Sequence, residues 1–436
     1  MSEILMFSQL RAGRGVNSNT GKPFGTALTF EERPQIAPNP DAGQLGQGQD
    51  TQLELLSITS RKELAQAMNV SASASFKSVG GGISGEAKFV QSREINSYYT
   101  YALVKVVVTN PPMLIYNAEF TPKATELLVK HGWNKFEASY GAEYVDGYIS
   151  GGSYYGLIEI QTTDSKSQMD AQAKLSGHYG GFSGSAEISG SLKEISADTH
   201  INVFVHRVGG DSSEKLATTV EPMIEQAVLF ADQAKKYPVP FIALIADYKS
   251  TIPLPDIQDS DSLSMRHQRD CLKELGERYL DLQDYADTLK FVLKHLNGFA
   301  EFKGRDEDQV RKEFQSSLDS ANQEIDEIVN KATACSDDFT KCELHTPKTQ
   351  FLKLPGGDLM YLKELEEKLA QLTSQVEKLE REAVRYDTEA KIQSRSDSQF
   401  LVHEQATGSL TIALVDEARP ESNTPRFRFM IRKVIN

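Results

Sequence analysis

The residue types that most often carry catalytic or metal chemistry are scattered along this chain. Three cysteines lack the spacing of metal ligands: Cys271, Cys335 and Cys342. Three histidines likewise follow no ligand spacing and are interpreted as structural residues: His178, His200 and His206. The sequence holds no nucleophile elbow, phosphate loop or zinc motif. We therefore expect a protein without enzyme activity, metal or cofactor.

The pattern with a clear physical meaning is an alternation of apolar and polar side chains, which occurs twice. It covers residues 70–89, around glycines 80–82, and residues 171–192, around Gly180–Gly181. A period of two is typical of a strand with one apolar and one polar face. The apolar positions of the first segment are Val70, Ala72, Ala74, Phe76, Ile83, Ala87 and Phe89. Those of the second are Ala171, Ala173, Leu175, Phe182, Ala186, Ile188 and Leu192.

The two segments are copies of one unit. Residues 81–87 read GGISGEA and residues 180–186 read GGFSGSA, an offset of 99 positions (180 minus 81). Each segment is followed by an extended apolar run, at 98–108 and at 199–208. The first 210 residues therefore contain a duplicated unit of strand, glycine-rich alternating segment and strand.

A strand with lipid on one side and water on the other must alternate, and a membrane-spanning strand needs about 9–11 residues. Each segment is long enough for two such strands and a turn. Lone hairpins leave backbone groups unpaired in lipid, so many copies would have to close into a barrel. In the monomer, we expect the segments to be stored as short amphipathic helices on the sheet. The alternative is that they are half-buried strands or loops of an ordinary soluble protein.

Between the two copies lies the run 136–160, which is rich in tyrosine and β-branched residues and is interrupted by glycines. We interpret it as two strand segments joined by a hinge at Gly151 and Gly152. Valine at both positions is expected to block opening and to leave the monomer folded. Further strands are predicted at 52–59 and 239–245, and helices at 61–68, 121–130 and 220–235.

The second half of the chain changes to helical periodicity. Apolar residues at spacings of three and four predict helices at 262–296, 310–332 and 358–386. A bundle within one chain is favoured over a coiled coil between chains, because helices of matching length are neighbours in sequence. Residues 409–415 and 426–434 predict a C-terminal β hairpin.

Composition limits the classes of partner and location. The chain has 436 residues, 39% hydrophobic content and a net charge of −14, which gives nucleic acid no basic surface to bind. Its first residues do not resemble a signal peptide, so we expect none, and it has no apolar run long enough for a membrane helix. The odd cysteine count argues against a disulfide framework and indicates a reducing compartment. We expect a soluble protein, cytoplasmic or released without a signal peptide, that acts at a target-cell membrane.

The run Tyr140, Gly141, Ala142, Glu143 and Tyr144 resembles the Tyr-Gly-Thr-His-Tyr signature of the membrane-attack-complex/perforin (MACPF) family. It departs from the signature at Ala142 and Glu143. The Ser/Ala/Gly-rich residues 70–89 are similar to the first membrane-spanning segment of the stonustoxin-like branch. The resemblance covers about residues 20–255. It implies an α+β fold with a bent, twisted four-stranded antiparallel sheet, whose two helical clusters unfurl into the hairpins of a large β-barrel pore.

These observations predict a MACPF-like pore-forming domain at 1–255, a helical or coiled-coil domain at 256–397 and a C-terminal β segment at 398–436. The expected function is that of a pore-forming toxin or defence effector, causing cytolysis by membrane insertion as a homo-oligomeric ring. Its partners would be membrane lipid and other copies of itself, with a separate membrane-binding protein as a further route to the target. The alternative is a non-lytic scaffold that assembles through its helical domain.

Overall fold

The computed structural model describes residues 2–5, 10–35, 49–75, 84–162, 164–181, 185–196, 199–254, 263–356, 374–376 and 378. Residues 1–360 form one compact unit and residues 361–436 a second one. In the second unit, the described residues 374–376 and 378 are helical. The rest of the helix predicted at 358–386 and the hairpin predicted at 409–434 lie outside the described residues.

The described strands belong to one antiparallel sheet. They are β1 (Ser2–Leu5), β2 (Arg14–Asn17), β3 (Lys22–Thr26), β4 (Leu28–Pro34), β5 (Asp50–Ile58), β6 (Thr100–Thr109), β7 (Met113–Phe120), β8 (Glu143–Gln161), β9 (Gly180–Gly181), β10 (His200–Val208) and β11 (Val239–Asp247). Four long strands are neighbours in the order β5, β6, β8, β10. β-Branched and aromatic residues dominate them, as expected for a pleated sheet buried on both faces.

The described helices are α1 (Arg61–Ala67), α2 (Gly85–Gln91), α3 (Pro122–Tyr140), α4 (Ser165–Ser176), α5 (Ser185–Ser196), α6 (Val220–Lys236), α7 (Tyr248–Thr251), α8 (Leu263–Lys294) and α9 (Glu307–Asp337). Several begin at a side chain that accepts a hydrogen bond from the first turn, which satisfies an otherwise unpaired N–H. Such caps are Ser60 for α1, Ser84 for α2, Thr121 for α3 and Asp164 for α4. The predicted mixed α+β fold, with an antiparallel sheet and several helices, is confirmed.

The sheet carries helices on both faces. On one, here called the α6 face, α4, α5 and α6 pack on side chains such as Leu55, Val104 and Ile158. On the other, the α8 face, α1, α2 and Leu280 of α8 pack on side chains such as Leu103 and Leu157. Because side chains alternate along each strand, neighbouring residues of β5, β6, β8 and β10 contribute to opposite cores.

The start of the run at 136–160 is helical, so the prediction of a strand there is wrong. Phe136 and Tyr140 lie in α3, where the Phe136 ring packs against the rings of Trp133 and Tyr140 at centroid distances of 5.1 Å each. Residues 133, 136 and 140 share one helix face, a spacing that the aromatic content of the run obscured. Gly132, two residues beyond the helix predicted at 121–130, has φ 73° and kinks α3 there.

Helices α8 and α9 pack together and are crossed by an extended strap, residues 342–356. The buried Glu324 carboxylate of α9 joins all three elements, accepting hydrogen bonds from Arg278 Nε at 2.9 Å and from the backbone N–H of Thr349 at 2.6 Å. His345 Nε2 lies 3.0 Å from the same carboxylate. These partners lower the pKa of Glu324 to about 2, although burial acts in the opposite direction.

Cys335 and Cys342 form a disulfide, with Cα atoms 4.4 Å apart. The odd cysteine count, which argues against a disulfide framework, does not predict this single bond. The strap turns back at the end of α9 and brings position 342 beside position 335, a proximity that an odd cysteine count does not reveal. Cys271 is free and buried.

Candidate functional site

Strand β8 exchanges its neighbours on both sides at Gly151 and Gly152. Its first half pairs with β11, from Asp247 opposite Glu143 to Val239 opposite Gly151. Its second half pairs with β6, which ends opposite Gly151, and with β10, which ends opposite Ser153. The strand is continuous through the glycines, but the two halves belong to different sets of strands. The predicted hinge therefore coincides with the junction between the two parts of the sheet.

The neighbouring backbones approach these glycines too closely for a side chain. A Cβ atom on Gly151, where φ is +143°, would lie 1.9 Å from the carbonyl oxygen of Val108. One on Gly152 would lie 2.5 Å from the carbonyl oxygen of Val208 and 2.9 Å from the Phe230 ring. The structure contradicts the expectation that valine at both positions would leave the monomer folded, since two strands and a helix would have to move.

The signature-like residues form the base of this strand. Gly141, with φ +77°, ends α3 and directs the chain into β8. Tyr140 and Tyr144 flank it and enter an aromatic core with Phe136 and Tyr248. The Tyr144 hydroxyl lies 2.9 Å from Thr251 Oγ1. This core fixes the end of β8 that is remote from the two helical clusters.

The first alternating segment belongs to cluster 1, which comprises α1, the 3-10 turn Ala72–Ser75 and α2 and connects β5 to β6. Val70, Ala87 and Phe89 are buried in the core of the α8 face. Ala72 is half-buried and Ala74 is exposed, whereas Phe76 and Ile83 lie outside the described residues. The part of this segment that the structure describes is thus folded as short helical pieces.

Helix α8 covers cluster 1. The Asp284 carboxylate accepts a hydrogen bond from the backbone N–H of Arg61 at 2.7 Å, and Arg61 Nη2 lies 2.6 Å from Asp287 Oδ2. Arg61 is only 2% exposed. The backbone of Ala72 is so close to Gly276 that a Cβ there would lie 2.3 Å from its carbonyl oxygen. Burial raises the pKa of Asp284 to about 7.

A buried polar group lies between cluster 1 and β10. Glu86 of α2 is 3% exposed, and its Oε1 is 4.0 Å from His206 Nε2 of β10. The His206 ring also lies against Phe89 and Tyr155. Burial raises the pKa of Glu86 and lowers that of His206, which favours the neutral form of both side chains. Sequence reasoning missed this pair because its members lie in different copies of the unit.

The second alternating segment lies in cluster 2, which comprises α4, β9 and α5 and connects β8 to β10. Ala171, Leu175, Ile188 and Leu192 are buried in the core of the α6 face. Ala173 is exposed on α4. Phe182 lies outside the described residues, and Ala186 lies in α5, where its side chain is not described.

The ion pair between cluster 2 and its covering helix α6 is exposed, unlike the buried ion pairs between cluster 1 and α8. The ion pair described between α5 and α6 joins Lys193 and Glu221 at 4.0 Å, and these side chains are 78% and 66% exposed. At its turn, Gly180 and Gly181 pair with Leu55 and Glu54 of β5. Both clusters contain short helices in this structure.

Within the described ranges, no group of His, Cys, Asp and Glu side chains could hold a metal ion. Among the helices that the structure describes, none combines the length and the apolar character needed to cross a membrane.

No protein-family model matches the chain, and no curated protein matches it in sequence. Solved structures do. Stonustoxin is 11% identical over 78% of this chain and 43% of its own, with a TM-score of 0.40. The human-specific toxin intermedilysin is 13% identical over 58% and 60%, with a TM-score of 0.33. A protein with a MAC/perforin domain from Bacteroides thetaiotaomicron is 13% identical over 61% and 60%, with a TM-score of 0.25.

The family resemblance predicted from the sequence is thus found again as a likeness in fold. This chain spans about half the length of the structures that it matches, from 43% to 60% in these three cases. Since the TM-scores lie below 0.5, the function is inferred from the geometry of this chain alone.

Proposed function

We propose that this chain is a non-enzymatic pore-forming protein, in which each subunit of a homo-oligomeric ring contributes two β-hairpins to a membrane barrel. The observation that carries this proposal is the strand register. If the pairing of the central sheet continues without a shift into either cluster, it matches apolar with apolar residues and ends at a glycine-rich turn.

In the first hairpin, the pairing of β5 with β6 sets the register. The numbers of paired residues sum to 159, as in Asp50 with Thr109 and Ile58 with Tyr101. Continued into cluster 1, this register pairs Val70 with Phe89 and Ala72 with Ala87. The two arms would meet at Val79 and Gly80, immediately before two further glycines.

In the second hairpin, the numbers of paired residues in β8 and β10 sum to 361, as in Gln161 with His200. Continued into cluster 2, this register pairs Met169 with Leu192 and Ala173 with Ile188. The arms would meet at Gly180–Gly181. Each hairpin arm would have about 20 residues, beyond the roughly 9–11 that a tilted strand needs to cross a membrane.

The alternation of side chains also places the apolar rows of both hairpins on the same face of the sheet. Ile58 and Tyr101 contribute to the α8 face, and continued alternation keeps residues 70 and 89 on that face. Leu157 and Phe204 also contribute to it, and alternation keeps residues 171 and 192 there. The lipid-facing rows of both hairpins would therefore be continuous, while the serine, lysine and glutamate rows would face the water-filled interior.

The sheet offers the edges that a ring requires. Both clusters connect strands at the same end of the sheet, so both hairpins would extend in one direction. The four central strands alternate in direction, so β5 and β10 are antiparallel. Copies placed side by side would join head to tail, the type of interface that closes into rings. The junction of β8 at Gly151 and Gly152 is the proposed hinge between this part and the fixed aromatic base.

A site-specific fluorescence experiment tests the alternation. Gln172 and Ala173 are adjacent and both exposed on α4, so a dye at either position starts in water. Single variants Gln172→Cys and Ala173→Cys would be labelled with an environment-sensitive dye and mixed with phosphatidylcholine vesicles, with and without cholesterol or phosphatidylserine. We expect a blue shift at position 173 and little change at 172, together with dye leakage from the vesicles.

The pair Ser73→Cys and Ala74→Cys tests the first hairpin, from a half-buried and an exposed starting position. Wild type treated with the same dye controls for background labelling, because its free Cys271 is buried. Equal responses at adjacent positions, or leakage with both positions remaining in water, would contradict the two-hairpin proposal.

The alternative is a non-lytic scaffold that assembles through α8 and α9. It is favoured by the large apolar side chains exposed around this pair: Phe339, Leu344 and Phe351, at 48%, 60% and 50%. A protein that forms oligomers in solution but releases no dye from any of these vesicles would support the scaffold.

A further inference from the structure

Strand β5 has an outer edge that the chain itself only partly covers. Its inner edge pairs with β6 over all nine residues, from Asp50 to Ile58. On the outer edge, the described partner is β9, in which Gly181 faces Glu54 and Gly180 faces Leu55. The flanking positions of β5 have no strand beside them among the residues that the structure describes. Unpaired N–H and C=O groups at such an edge can accept a strand from another chain.

The strand that suits this edge is β10 of a second copy. It lies at the opposite side of the four central strands, and in the described part of the chain no strand pairs with its outer edge. Both strands have nine residues and run antiparallel. Two antiparallel edges of equal length can pair along their backbones when two copies meet.

We infer that Gly180–Gly181 mask this docking edge, and that a second copy takes their place on β5 only after cluster 2 has left the sheet. The inference rests on the proposed function, in which these glycines form the tip of the second hairpin. Extension of that hairpin and exposure of the β5 edge are then one event. A monomer cannot present a complete edge to its neighbour while its second hairpin is still folded.

The mask is suited to release. It consists of two residues without side chains, and a Cβ on Gly180 would meet no atom within 4 Å. The mask therefore has no side chain of its own to pack on β5, whereas residues of α4 and α5 beside it pack in the core of the α6 face. A mask held in this way opens when cluster 2 loses its contacts with the α6 face.

A reversible tether tests this order of events. Because Glu54 and Gly181 are paired, the double variant Glu54→Cys/Gly181→Cys can be oxidised to hold β9 on β5. Single variants are the controls, and wild type carries the same Cys335–Cys342 bond. With the phosphatidylcholine vesicles described above, we expect the oxidised double variant to lose ring formation, seen by electron microscopy and cross-linking, and to recover it after reduction. Rings formed by the oxidised double variant as readily as by the single variants would overturn the inference.

A second variant tests the mask without membranes. Gly181→Pro removes a backbone donor at the mask, whereas Gly177→Ala changes a nearby glycine where an added Cβ meets no atom within 4 Å. We expect Gly181→Pro to shift to larger species in sedimentation velocity, and Gly177→Ala to behave like wild type. An unshifted, folded Gly181→Pro protein would overturn the mask even if wild type forms pores. Conversely, wild type that never leaks, with Gly181→Pro self-associating, would overturn the proposed function and keep the mask.

Discussion

Cluster 1 and cluster 2 are copies in sequence, but the fold holds them in different ways. Cluster 1 lies under α8, where the nearly fully buried Arg61 contacts two carboxylates of that helix. Cluster 2 lies on the opposite face under α6, with an exposed ion pair and a two-glycine contact with β5. Equivalent segments can therefore require different events for their release.

The difference lies in the desolvation of charge. A buried guanidinium between carboxylates is strongly destabilised when one partner leaves, whereas an exposed pair is compensated by water. Cluster 1 can leave the sheet only if α8 moves or if these charges regain solvent. Cluster 2 has to give up mainly apolar contacts. In the proposed function, we expect cluster 2 to open first.

The largest expected effect comes from Arg61→Ala. It leaves Asp284 buried without its cation, whereas Asp287 keeps its ion pair with Lys290 at 3.0 Å. Removing one partner of a buried ion pair typically costs about 3–5 kcal/mol. Urea unfolding should therefore show a large loss of stability. Lys62→Ala, on the same helix, is the matched control: its ion pair with Glu277 is 35% exposed on both sides, and it should cost less than about 1 kcal/mol. Equal losses in the two variants would remove the electrostatic basis of the comparison.

Two leucines probe the apolar contacts of the two clusters. Leu280 of α8 packs on cluster 1, and Leu192 of α5 packs on the α6 face; they are 1% and 0% exposed. Alanine at either position should cost about 2–5 kcal/mol. Hydrogen exchange should then rise in α2 for Leu280→Ala and in α5 for Leu192→Ala. Faster exchange in both clusters for either variant would mean that they open together.

The pH dependence of Asp284 probes the cover of cluster 1 in smaller steps. Arg61, Asp287 and Asp281 surround this carboxyl, and burial raises its pKa to about 7. A pKa raised in the folded state gives stability that is present in acid and is lost as the pH rises through the folded pKa. The free energy of unfolding of wild type, compared with Asp284→Asn, should therefore decrease between about pH 4 and pH 7. If the difference in free energy between the two proteins stays constant across this range, the Asp284 carboxyl is ionised in both the folded and the unfolded state.

The smallest effect is expected at cluster 2. Lys193→Ala removes an exposed pair at 4.0 Å and should change the free energy of unfolding by less than about 0.5 kcal/mol. Urea unfolding beside Arg61→Ala gives the comparison directly. A loss above about 1 kcal/mol would show that ion pairs contribute to the stability of both clusters to a similar degree.

Periodicity predicted most of the regular elements. The helix predicted at 220–235 is α6, and the runs at 98–108 and 199–208 contain β6 and β10, because long apolar patterns with clear ends specify local structure. The N-terminal residues carry four strands, whose short polar sequences are ordered by pairing with distant strands. Aromatic composition favours a strand at Phe136 and Tyr140, whereas their spacing is helical.

The candidate site was predictable where one segment contains the signal. The parity change around each glycine turn identified the residues that the continued register would pair. The contacts between segments were not predictable. Arg61 with Asp284, Glu86 with His206 and Gly181 with Glu54 join residues far apart in sequence. Each depends on which face of the sheet a helix covers, and a single sequence does not encode that in any local pattern.

The strap across α8 and α9 determines where the polypeptide can be shortened. Besides its hydrogen bonds to Glu324, it donates the Leu352 N–H to the Tyr285 hydroxyl at 2.7 Å, and its Pro355 oxygen accepts from the Tyr98 hydroxyl at 3.1 Å. Tyr98 lies two residues before β6. Ending the polypeptide after α9 would therefore do more than trim a helical appendage. It would strip partners from a buried carboxylate and loosen the residues that lead from cluster 1 into the sheet, so the smallest autonomous fragment should extend to Gly356.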